Sequence, residues 1–147
     1  MKEVILNEIE LAVAHEIARL RDASHTENTN LMGVQVEDAS YNGACGEMAY
    51  AKLFNVYFNI GDIKIPWDVI HNGFMLDIKC STHDHMHIHP KCANKQGIDG
   101  FAYMQKTGDD TFVYRGKISK GRLLRDFEPQ PSTYSDCYIV KQEDLVE

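Results

Sequence analysis

The chain has 147 residues, 44% of them apolar and 25% charged, with a formal net charge of −7. That length and balance predict one globular domain over residues 1–147, able to bury roughly two-thirds of the surface of its unfolded chain. No apolar run approaches the roughly 18 residues of a membrane span, and the negative balance argues against indiscriminate attraction to polyanions.

The opening stretch, MKEVILNEIELAVAHEIARL, holds four glutamates and no secretory pattern, which predicts a cytoplasmic protein. Ile5, Ile9, Ala12, Val13, Ile17 and Leu20 recur at helical spacing, so residues 2–22 read as an amphipathic helix. DASHTENTN reads as a polar connector and LMGVQV as a short extended piece. A second helix is predicted from about Asn42 to Asn55, with Ala44, Met48 and Ala51 along one face. Glu47 stands at the edge of that face beside Gly46, among small residues that allow another element to come close.

VYFNIGDIKIPWDVI reads as one or two strands, and WDVIHNGFMLDIKC as a hairpin turning on Asn72-Gly73. Beyond it, KCANKQGIDG is a short helix or loop, and FAYMQK and TFVYRGKIS are strands joined around TGDD. KGRLLRDFEPQPSTYSDC is irregular or briefly helical, and YIVKQEDLVE is a closing strand and turn. The order predicts an α/β (α+β) domain with a mixed central sheet flanked by helices. Cys45, Cys80, Cys92 and Cys137 lack CxxC spacing, so reduced, packed thiols are expected.

With Asn72 and Gly73 as the loop, His71 faces Phe74, Ile70 faces Met75, Val69 faces Leu76 and Asp68 faces Asp77. Trp67, Val69, Phe74, Leu76 and Ile78 then form a core face, and Asp68, Ile70, Met75, Asp77 and Lys79 the other. Opposed side chains of such a pair lie about 4.5–5.5 Å apart, so two carboxylates there repel. Either one carries a proton or a cation lies between them. Hard oxygen ligands suit Mg²⁺ or Mn²⁺. Lys79, on the same face, would orient or deprotonate a water, or steady a developing charge.

Asp68, then Asp77-Ile78-Lys79 nine positions on, preceded by a helix bearing Glu47, resembles the PD-(D/E)XK nuclease superfamily. Pro66-Trp67-Asp68 stands roughly where that family has its Pro-Asp, and IDGFAYM with FVYRGKISKGRLL is similar to its small phage-type members. The resemblance covers about residues 40–120, and the N-terminal helix is extra to it. It implies a restriction-endonuclease-like core and Mg²⁺- or Mn²⁺-dependent hydrolysis of DNA phosphodiester bonds. Endonucleolytic cleavage is expected more than exonucleolytic, and RNA and a homodimer are left open. Carried over by position, Asp68, Asp77 and the Ile78 carbonyl bind the metal, Glu47 holds a second metal or its water, and Lys79 positions the attacking water. Gln96, on the next short helix, would add a polar group.

The histidine tract also lies outside the pattern, and charge is unevenly spread along the chain. His83, His85, His87 and His89 alternate, so in an extended segment all four project from one side, as transition-metal ligands or as incidental polar groups. Residues 91–125 carry eight Lys or Arg against three acids, whereas residues 126–147 carry six acids and one Lys. A basic middle segment suits a phosphate backbone or a solvated face of mixed charge. The competing readings are a non-catalytic nucleic-acid-binding protein on the same scaffold, and a His-rich metal-binding protein whose aspartates are incidental.

Overall fold

The computed structural model describes residues 2–23, 36–61, 64–132 and 135–147. The elements are β1 (Lys2–Ile5), α1 (Glu8–Asp22), α2 (Val36–Phe54), β2 (Val69–His71), β3 (Phe74–Ser81) and β4 (His85–Ile88). They continue with α3 (Pro90–Ala93), β5 (Gly100–Lys106), β6 (Thr111–Ser119), α4 (Lys120–Asp126), β7 (Tyr138–Lys141) and a 3-10 turn (Gln142–Asp144). The main sheet runs β1-β6-β5-β3-β2, with β3 and β5 parallel and its other pairs antiparallel. β4 and β7 make a separate antiparallel pair. The mixed sheet with flanking helices agrees with the sequence reading.

Side-chain alternation along β5 divides the interior. Ala102 and Met104 join Leu76, Ile78, Phe112 and Tyr114 under α1 and α2. Phe101 and Tyr103 point the other way, into a cluster with Met86, Ile88, Ile118, Leu123 and Val140. A strand covered on both faces reads as a continuous apolar run, which explains FAYM.

The N-terminus departs from expectation. Residues 2–5 are strand β1, paired along β6, and the helix begins only at Glu8. Asn7 sets that boundary. Its side chain accepts the Glu10 N–H at 2.8 Å, while the Glu10 carboxylate accepts the Asn7 N–H at 2.8 Å, a reciprocal cap that satisfies two otherwise orphaned donors. The buried face also differs. Ala14, Ile17 and Ala18 turn inward, whereas Ile9 and Leu20 are largely exposed. The small alanines let α1 lie close along α2.

The predicted LMGVQV strand lies largely outside the described residues, and Val36 already belongs to α2. Ahead of the hairpin, the expected strands reduce among the described residues to a single bridge between Phe58 and Val69. The hairpin itself follows its predicted register: Val69 pairs with Leu76, Ile70 with Met75 and His71 with Phe74. Asn72 (φ 52°) and Gly73 (φ 82°) supply the two positive φ angles such a turn requires. Val69, Leu76 and Ile78 are buried as expected, but Phe74 is exposed. It sits at the hairpin tip, beneath the Lys117 ammonium 5.9 Å away.

Gly46 determines how α2 meets the sheet. A Cβ there would lie 2.4 Å from Cys80 Cβ, so only glycine allows this approach to β3. Gly46→Ala should therefore lower stability by about 1–3 kcal/mol in urea unfolding, the usual cost of overpacking. Gly43→Ala, in the same helix with nothing within 4 Å, should instead stabilise by up to about 1 kcal/mol.

Candidate active site

The close contact at Gly46 delivers the next residue, Glu47, into the interior, where it is only 3% exposed. A buried carboxylate needs a partner. Arg21 provides it: Nη1 donates to Oε2 at 2.6 Å and Nη2 to Oε1 at 3.2 Å, a bidentate pair. Arg21 also donates to the carbonyls of Asn59 and Ile60. Burial alone would lower the Arg21 pKa, but the Glu47 carboxylate outweighs it and the value is raised. Sequence reasoning missed Arg21. The signal was present, because Arg21 follows Ala14, Ile17 and Ala18 at the helical spacing of the buried face.

Asp68 stands where β2 gives out. The ladder ends at Val69, one residue short of the expected Asp68–Asp77 pair. Asp68 instead donates its N–H to the Leu76 carbonyl at 2.9 Å. Its carboxylate accepts the Ile78 N–H at 2.7 Å, taking the place of a missing strand neighbour. Asp68 is thus held at the open edge of β3. The N–H and C=O of a strand residue point to the same side, so the Ile78 carbonyl faces that edge too.

Asp77 and Lys79 share one face of β3, opposite Phe101 and Tyr103 of β5. Lys79 Nζ lies 3.0 Å from Asp77 Oδ1. Burial alone would lower the ammonium pKa, but the Asp77 carboxylate raises it above the ordinary lysine value. Lys79 is therefore a firmly charged cation.

Three carboxyl groups and two cations meet here, and the surplus falls on Asp68. Its pKa stands well above the usual carboxylate range, first because it is buried and then because Glu47 and Asp77 repel its charge. The Ile78 N–H only partly offsets this. Such crowding of oxygen donors is the chemistry a hard divalent cation relieves. Among the described residues, no group of three or more His, Cys, Asp or Glu side chains is arranged to hold a metal ion. Two of the three carboxylates are turned to cations, Glu47 to Arg21 and Asp77 to Lys79.

The other expected residues are less involved. Gln96 is not helical: α3 ends at Ala93, and Gln96 lies in an exposed turn whose Gly97 packs on Pro66. Several cations of the basic segment are engaged locally. Lys120 donates to the Lys95 carbonyl, Lys106 to Asn42, and Arg122 to the Asp144 carbonyl. The four cysteines are free thiols, and burial pushes Cys80 up to about 12, which leaves it unreactive. No helix among the described residues is long and apolar enough to cross a membrane.

Two outcomes test this electrostatic arrangement. Arg21→Ala should cost about 2–3 kcal/mol in denaturant unfolding, somewhat less than for a fully buried pair because Arg21 is partly exposed. Adding Glu47→Gln to that variant should recover most of the loss. The second concerns pH. A carboxyl whose folded pKa is raised contributes stability below its unfolded pKa that is lost as pH rises through the folded value. Asp68→Asn retains an acceptor for Ile78 and adds a donor toward Glu47. In metal-free buffer, thermal unfolding should show the Asp68→Asn variant a few degrees more stable than wild type at pH 8 and nearly equal to it at pH 4.

No protein-family model matches the chain, and no curated protein matches it either.

Proposed function

We propose that the chain is a metal-dependent deoxyribonuclease of the PD-(D/E)XK kind, with its mixed sheet read as a restriction-endonuclease-like core. The single observation that carries this reading is the half-buried Asp68 carboxyl, held on the Ile78 N–H beside the Asp77–Lys79 pair, with its pKa raised by desolvation and by the charges of Glu47 and Asp77. A structural ion-pair network would match its charges; this one keeps a carboxyl too many.

Asp68, Asp77 and the Ile78 carbonyl would hold Mg²⁺ or Mn²⁺, and Glu47 would hold a second ion or a water. All are hard oxygen donors, which fits that metal class. When bound, the ion supplies Lewis-acid polarisation of a phosphoryl oxygen and a lowered pKa for the attacking water. The chain's own residues do the rest. The Ile78 N–H would keep the Asp68 carboxylate in place toward the ion. Lys79, with its pKa raised by Asp77, orients the water and stabilises charge on the phosphate as an ammonium rather than as a proton acceptor. Arg21 holds the Glu47 carboxylate in place through its bidentate pair.

The test is a cleavage assay on linear, nicked and branched DNA with Mg²⁺, Mn²⁺ or EDTA. Wild type should cut internally with either metal and be silent in EDTA. Asp77→Ala should fall to background, and Lys79→Ala should lose at least about 100-fold in rate. Full activity in either variant, or DNA binding that survives EDTA with no product under any condition, would defeat the proposal.

A further inference from the structure

β4 places two groups on opposite sides by strand alternation. Met86 and Ile88 go into the core, leaving His85 and His87 on the outer side. The preceding turn brings His83 back over them. The three rings form a compact cluster, with centroids 5.5 Å (His83–His85), 5.1 Å (His83–His87) and 4.5 Å (His85–His87) apart. Imidazoles bound tetrahedrally to zinc at about 2.0–2.1 Å place their centroids about 5 Å apart and their ligating nitrogens about 3.3 Å apart. His85 Nε2 and His87 Nε2 are hydrogen-bonded at 3.2 Å, close to the length of one such edge.

The surroundings also suit a metal. His85 Nδ1 lies 2.6 Å from Asp84 Oδ1. A carboxylate only accepts, so Nδ1 carries the proton; the Nε2 of the neutral His85 ring then accepts the hydrogen bond that His87 Nε2–H donates, and a bound metal would take the place of that shared proton. This is the outer-shell carboxylate that orients metal-binding histidines in general. The turn carrying His83 is pinned from β5: the Tyr103 hydroxyl donates to the His83 carbonyl at 2.5 Å, and Gln105 donates to the Thr82 carbonyl at 3.2 Å. β4 is fixed in turn by its pairing with β7. His89 stands apart, with Nδ1 accepting the Lys91 N–H to cap α3.

We propose that His83, His85 and His87 form a Zn²⁺ site, oriented by Asp84 and separate from the carboxylate site, with a fourth position open to water or an anion. The three rings do not stand as a finished ligand set. Two nitrogens are already a ligand edge apart, and rotation of the exposed His83 ring onto that edge completes the set. Imidazole nitrogen favours a borderline metal such as Zn²⁺ over Mg²⁺, whereas the carboxylates of Asp68 and Asp77 also suit a hard ion such as Mg²⁺ or Mn²⁺. The inference does not rest on the nuclease reading.

Calorimetric titration of the metal-stripped full chain with ZnCl₂ tests it, with Co²⁺ absorption reporting coordination geometry. One equivalent should bind with micromolar or tighter affinity, and Co²⁺ should give a tetrahedral visible spectrum. His85→Ala/His87→Ala should weaken binding at least about 100-fold. If that pair unfolds the chain, as circular dichroism would show, His83→Gln at the exposed position should alone weaken binding at least about 10-fold. His89→Ala and Asp68→Asn/Asp77→Asn should bind as wild type does, which separates this site from the proposed nuclease centre. Undiminished binding in the His83, His85 or His87 variants would overturn the proposal. So would wild-type affinity no better than that of scattered surface histidines, or loss of binding in the aspartate variant.

Discussion

The molecule depends on one short contact, the approach of α2 to β3 at Gly46 and Cys80. A side chain at that position would push the helix outward, and the site is built on its absence. With α2 drawn in, Glu47 is buried beside the open edge of β3, where its charge is felt by Asp68. The buried carboxylate then requires Arg21, which α1 supplies because its alanine-rich face lies along α2. The charge arrangement is thus a consequence of packing. Three acids are brought together by backbone geometry, two are paired with cations from α1 and β3, and Asp68 is left with its pKa raised.

Local signals transferred well from sequence to structure. Asn72-Gly73 dictated a turn, and the register it set was right because only Gly-tolerant positions accept two positive φ angles in succession. The β5 and β6 strands were legible as aromatic and β-branched runs. The first strand was not, because its two apolar residues continue the helical periodicity of α1. The Asn7–Glu10 cap was the cue that separated them. The inward face of α1 was misjudged for a related reason: large apolar residues were weighted above alanines, yet close helix packing selects the small ones.

Within the candidate site, the sequence singles out residues but does not encode their arrangement. Asp68, Asp77, Lys79 and Glu47 were singled out as candidates from type and spacing. That Asp68 would leave the ladder and bind the Ile78 N–H depends on where β2 stops, a tertiary event with no local signature. Gln96 was misplaced because α3 is one turn long and ends before it. The histidine tract was read as a pattern of alternation, and alternation holds for His85 and His87. His83 joins them through the turn between two sheets, which periodicity alone does not encode.

The Asp68 carboxylate at the rim of β3, where the β2 ladder ends at Val69, has one more effect. A sheet margin with free amides invites an additional strand from another molecule, and natural sheets commonly guard such margins with charge or by shortening them. Here the rim amide of Ile78 is already taken, and any incoming backbone would have to displace an acid and leave it unsolvated. The same group that is proposed to hold a small hard ion makes this margin hostile to polypeptide, so the sheet resists lengthening there.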